Sequence, residues 1–150
     1  MFKQLKQLLK SDDSAASPSD QDLKLAAATL MYEMVRSDGS VDPMELKHMQ
    51  NLLKNEFNLE ADVLAELFEA AEASAQEAIS LQGFTREICE NWDNPKRVKM
   101  IEYLWTIALA DDHIDPHERH LVRKVAGLLY VNEAQIQSAK ATAMNTRKAQ

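Results

Sequence analysis

Two short stretches hold the residues best suited to chemistry. One is Asp38-Gly39-Ser40-Val41-Asp42-Pro43-Met44-Glu45; the other is Asp111-Asp112-His113-Ile114-Asp115-Pro116-His117-Glu118. The second repeats the pattern of the first: Asp, three residues with a β-branched one last, Asp-Pro, one residue, Glu. Asp38, Asp42, Glu45, Asp111, Asp115 and Glu118 are therefore the candidate ligands of a metal site. Donors that are all oxygen select a hard divalent cation such as Ca²⁺ or Mg²⁺. The second stretch adds His113 and His117, with His120 three residues on. Nitrogen donors there would admit Zn²⁺ or Ni²⁺.

Much of each pattern has a purely structural use. Asp42 before Pro43, with Glu45 three residues on, reads as a capping box that opens a helix, and Asp115, Pro116 and Glu118 repeat it. Val41 and Ile114 stand where an apolar side chain staples a helix start to the core. Capping leaves Asp38 and Asp111 unexplained. Each falls near the end of the preceding helix, where the dipole disfavours an acid. An EF-hand does not account for them. Its first and third loop positions would be Met34 and Arg36 in one copy and Ile107 and Leu109 in the other. Any site is smaller, or is shared between the turns.

Other chemistry has less support. His117-Glu118-Arg119-His120 has the wrong spacing for a zinc-protease helix, and no phosphate loop, nucleophile elbow or dinucleotide fingerprint occurs. Cys89, between Ile88 and Glu90, reads as a buried, inert thiol, and His48 as a surface residue. The leading expectation is a non-enzymatic, cation-responsive adaptor with a protein partner. The alternatives are a metal-dependent hydrolase built on the acidic turns and a purely structural interaction domain.

The elements that position these turns are helical. Ala, Leu, Glu and Lys dominate, with only three Gly and four Pro, a balance that favours helix. No stretch alternates with period two, so the expected fold is all-α, with seven or eight helices in two related halves. A net charge of −7 argues against a nucleic-acid partner. A single cysteine suits a reducing cytoplasm, and no apolar run is long enough for a transmembrane helix.

In chain order, Phe2, Leu5, Leu8 and Leu9 share a helical face, with Lys3, Lys6 and Lys10 beside it. Such a segment suits peripheral contact with an anionic membrane, a partner helix, or its own domain. Residues 11–17 are a polar linker, so 1–17 and 18–150 are read as separate parts. Ser17 and Pro18 open a helix, buried on one side, that ends near Ser37. A second runs from Asp42 to Asn58. A third spans about 60–81, is acidic on its outer side, and ends at Gly83. Phe84, Ile88 and Trp92 mark a short helix, and Pro95 opens the next. Asp115 starts another, and the last begins near Asn132 and frays from Asn145.

The repeated turns, with the apolar helix before each and the Pro95-Lys96-Arg97 start of the second half, resemble the TerB-like family, named for tellurite resistance protein B. The likeness covers roughly residues 22–140. It implies an internally duplicated, all-helical cytoplasmic domain from a bacterium, linked to tellurite or stress-response systems and in some cases placed at the inner face of the membrane. It also implies a metal-binding role for the six acids. Asp112-His113 departs from the Gly plus small or acidic residue often found in the family, which shifts the metal preference of the second turn.

Overall fold

The computed structural model describes residues 20–37, 39–78, 80–110 and 114–148. These form seven helices and no strand: α1 (Asp20–Val35), α2 (Pro43–Phe57), α3 (Ala61–Glu77), α4 (Gln82–Asn91), α5 (Asn94–Ala108), α6 (Pro116–Leu128) and α7 (Glu133–Lys148). The fold is all-α. Residues 2–10, the linker and the Ser17-Pro18 start lie outside the described residues.

The internal repeat is visible in the packing. In the first half α1 packs most extensively on α3 and less on α2; in the second, α5 packs most extensively on α7 and less on α6. α4 joins the halves, and α1 and α5 meet between them. Tyr32 Oη donates to Glu72 Oε2 at 2.8 Å, and Arg36 Nη2 donates to the Ala75 carbonyl at 2.6 Å. These pairings advance together along both helices, so α1 and α3 run parallel, with α2 as the antiparallel return. In the second half Trp105 Nε1 donates to the Ile136 carbonyl at 3.2 Å.

α1 departs from the expectation of one buried side. Ala26, Ala27, Ala28, Thr29, Leu30, Met31, Tyr32, Met34 and Val35 are all buried, on every side of the helix. It packs against α2, α3, α4, α5 and α6. Three successive alanines leave room for that many neighbours, and Met31 and Met34 fill the irregular space between them. The Thr29 hydroxyl donates to the Leu25 carbonyl at 2.7 Å, so its burial leaves no orphan donor.

Three boundaries also differ. α3 stops at Glu77, and Ala78 is extended (φ −71°, ψ 130°). Ala75 is fully buried, but Gln76 and Glu77 are exposed, and the chain must turn to bury Leu81. Gly83, expected to end α3, lies in the first turn of α4. α5 starts at Asn94, because the Asp93 side chain caps it by accepting from the Lys96 amide at 3.2 Å. α7 runs on to Lys148 rather than fraying from Asn145.

Candidate functional site

The two acidic turns share an extended Asp at the N-cap. Asp42 is extended (φ −82°, ψ 122°), and its Oδ1 accepts from the Met44 amide at 2.8 Å. Asp115 has the same role (φ −83°, ψ 161°), its Oδ1 accepting from the amides of His117 at 2.7 Å and Glu118 at 3.2 Å. Glu118 Oε1 accepts in turn from the Asp115 amide at 3.0 Å, which completes a capping box. The N-cap reading therefore holds for both Asp42 and Asp115, and the full capping box is seen at Asp115. Pro43 and Pro116 occupy first positions, where a missing amide costs nothing. Gly39 has φ +91°, a conformation that L side chains rarely adopt, and its amide donates to the Arg36 carbonyl at 3.0 Å.

Glu45 and Glu118 are buried, at 5% and 4% exposure. Spacing alone places them at a helix start and says nothing of this burial. The apolar residues before the caps diverge: Ile114 is half-buried against the core, whereas Val41 is exposed. The staple expectation thus holds in the second turn and fails in the first. His117 and His120 are exposed, with His117 Nδ1 3.6 Å from Asp115 Oδ1. His48 is half-buried, its Nδ1 3.0 Å from the Met44 carbonyl oxygen. Asp38, Asp111, Asp112 and His113 lie outside the described residues. Among the described residues, no three His, Cys, Asp or Glu side chains form a metal-binding group.

Tertiary structure brings the flanks of the two turns together. Glu33 and Ser37, leading into the first turn, form one wall of an open groove of about 300 Å³. Pro116, His117, His120, Leu121 and Lys124, leading out of the second, form the other. The end of α1 thus faces the start of α6. No local pattern could show this, since the partners are far apart in the chain.

Sequence reading missed two features at other places. Tyr130 is exposed and left-handed (φ 57°), beside Cys89, Thr85, Arg86 and Leu128 around a groove of about 430 Å³. Cys89 is half-buried rather than buried, and its thiol donates to the Leu128 carbonyl at 3.4 Å. The second feature is an apolar groove of about 510 Å³ between α2 and α3, lined by Leu64, Ala65 and Phe68. No described helix is long and apolar enough to cross a membrane.

No curated protein matches the chain. A crystal structure of a protein of unknown function from Porphyromonas gingivalis is similar in fold, with a TM-score of 0.62 at 21% identity, over 87% of this chain and 99% of that one. The family model described as tellurite resistance protein TerB matches residues 24–141, which takes in both turns and all but the ends of the bundle. The chain belongs to the tellurite resistance protein TerB family.

Proposed function

We propose that this chain is a non-enzymatic, cytoplasmic adaptor of a tellurite-resistance or stress-response system, in which a divalent cation held at the acidic turns controls engagement of a protein partner. The supporting observation is the groove in which the approach to the first turn meets the helix leaving the second. A cation bound at either turn acts on the same surface. The groove is open, as suits docking of a partner more than enclosure of a substrate; a metal-dependent hydrolase is the alternative reading.

Carboxylates of the kind that these two turns carry suit a hard cation. An ionised carboxylate offers about four acceptor sites, and the caps at Asp42 and Asp115 use one or two of them. Asp38, Asp42 and Glu45 would hold a cation at the first turn, and Asp111, Asp115 and Glu118 at the second. All are oxygen donors, which favours Ca²⁺ or Mg²⁺. The exposed His117 and His120 make Zn²⁺ the alternative at the second turn.

The test is thermal unfolding of the chain, Asp38→Asn and Asp42→Ala against Ca²⁺, Mg²⁺, Mn²⁺ and Zn²⁺. A bound cation stabilises the wild type by ~2.7 kcal/mol at a hundredfold excess over its Kd, and Asp38→Asn abolishes that gain. If no cation moves the wild-type curve at millimolar concentration, the cation reading is wrong and the turns are helix caps in an interaction domain.

A further inference from the structure

We propose that the pocket where α1, the end of α2 and the start of α5 meet binds a phosphate monoester, its phosphoryl group held by lysines and its organic part set against aromatic walls. The inference is independent of the cation reading: it takes an anion and uses no residue of either acidic turn.

The pocket is a recess of about 280 Å³. Lys24 of α1 and Lys96 and Lys99 of α5 line it, and Glu56, near the end of α2, is its one lining carboxylate. Three ammonium groups against one carboxylate leave two positive charges, in a chain whose net charge is −7. A phosphate monoester carries about −1.5 to −2 at neutral pH and has three strong acceptor oxygens. It matches that balance better than a carboxylate, which brings a single charge. Lysine serves phosphate as a point charge.

The walls supply a second, independent sign of a ligand. Trp92 and Tyr103 line the pocket at 7% and 8% exposure. Neither the Trp92 indole N–H nor the Tyr103 hydroxyl has a hydrogen-bond partner among the described residues, and neither is sealed from solvent. Donors on side chains this deeply buried are normally paired, with protein, water or ligand. Here both face a space ringed by ammonium groups, which selects an acceptor of negative charge. Phe57, half-buried beside them, adds apolar wall for the organic part of the ester.

The local sequence sets this arrangement. Lys96, Lys99 and Tyr103 follow the spacing i, i+3, i+7, so α5 presents them along one stripe. Lys96 stands in the first turn of α5, where the helix dipole disfavours a cation and favours an anion. Its Nζ lies 4.8 Å from the centroid of the Trp92 ring, and Lys99 Nζ lies 6.0 Å from that of Tyr103. Each cation thus waits beside one of the two unpaired donors. Lys99 also meets Glu102 at 3.4 Å, an exposed pair that holds it only weakly.

Nuclear magnetic resonance of the full chain tests the proposal through its two indole N–H signals. The Trp105 indole, already bonded to the Ile136 carbonyl, is the internal control. Titration with phenyl phosphate should move the Trp92 signal saturably and leave Trp105 in place. Lys96→Gln and Lys99→Gln should each weaken binding about tenfold, as the loss of one charge-assisted hydrogen bond does. Both lysines are exposed, and thermal unfolding of the variants checks that the fold is kept. In the wild type, benzoate, with the same ring and a single charge, should bind about tenfold more weakly than phenyl phosphate. Four results would each overturn the proposal: no saturable shift of Trp92 at millimolar phenyl phosphate, equal shifts of both indoles, unchanged affinity in folded lysine variants, or benzoate binding as tightly. Vesicles of phosphatidylcholine with phosphatidic acid then identify the source of the phosphoryl group. Sedimentation of the wild type but not of Lys96→Gln supports a lipid headgroup, and a wild type that stays in solution supports a soluble ester.

Discussion

Asn58 and Tyr130 hold the same left-handed backbone conformation at equivalent places in the two halves, with φ of 53° and 57°. Each ends the helix that an acidic turn begins. The Leu59 amide then donates to the Lys54 carbonyl at 3.2 Å, and the Val131 amide to the Ala126 carbonyl at 2.9 Å, the long closing bond of a Schellman motif. Asn tolerates this conformation through its short polar side chain, but Tyr does not. Tyr130 is also 77% exposed, so its ring gains little from packing.

Tyr130→Gly should therefore stabilise the domain by about 1 kcal/mol, since a strained non-glycine residue costs of that order. In a chain of this size that raises Tm by roughly 2–4 °C. Asn58→Ala should lower Tm by a similar amount. Thermal unfolding followed by circular dichroism checks both. A lower Tm for Tyr130→Gly would mean that the ring contributes more than the backbone loses.

Asp42→Ala and Asp115→Ala should each cost about 1 kcal/mol, as lost caps do. Because Asp115 and Glu118 bond reciprocally, Asp115→Ala/Glu118→Ala should cost less than the two single changes together. Urea unfolding of the four variants measures the coupling; strict additivity would show that the box does not act as a unit.

The starts of α2 and α6 were legible because Asp-Pro-x-Glu is a local signal, complete within four residues. The end of α2 at Asn58 was legible for the same reason. The enclosure of α1 was not, since Ala26, Ala27 and Ala28 read as neutral until the helices around them are known. The end of α3 was hidden by its alanine-rich run, in which helix propensity stays high after the buried face has ended. The groove joining Ser37 to Pro116 and His117 depends on contacts far apart in sequence. Periodicity cannot report such contacts.

Tyr103 gives the domain a weak point in strong base. Burial, with smaller contributions from Glu56 and Glu102, pushes its hydroxyl from 10.0 up to about 12. The folded state thus keeps a proton that the unfolded state releases. The resulting stability is intact below about pH 10 and is lost as pH rises toward 12. Burial and a hydrogen bond to Glu72 raise Tyr32 in the same direction. Tyr103→Phe should flatten the fall in Tm over this range, and ultraviolet titration of tyrosinate should show the late ionisation directly. A wild-type Tm that does not change from pH 9 to 11 would contradict this.

Ala27 is fully buried where helices crowd around α1. Ala27→Leu should destabilise by about 1–3 kcal/mol through overpacking, although leucine is a good helix former and more apolar. Calorimetry would detect the loss; an unchanged Tm would mean that the surrounding helices can move apart.

The burial of α1 also bears on how a duplicated chain of this kind can arise. α1 belongs to the first half, yet α4, α5 and α6 cover much of it. A polypeptide ending at α3 would expose that surface to water, and hydrophobic burial would drive it to find a second copy. The ancestor of such a repeat would then have been an obligate homodimer, with the present chain its fused descendant. By the same logic, a cut in the connection between α3 and α4 should give two fragments that are poorly ordered alone and recover their helices on mixing.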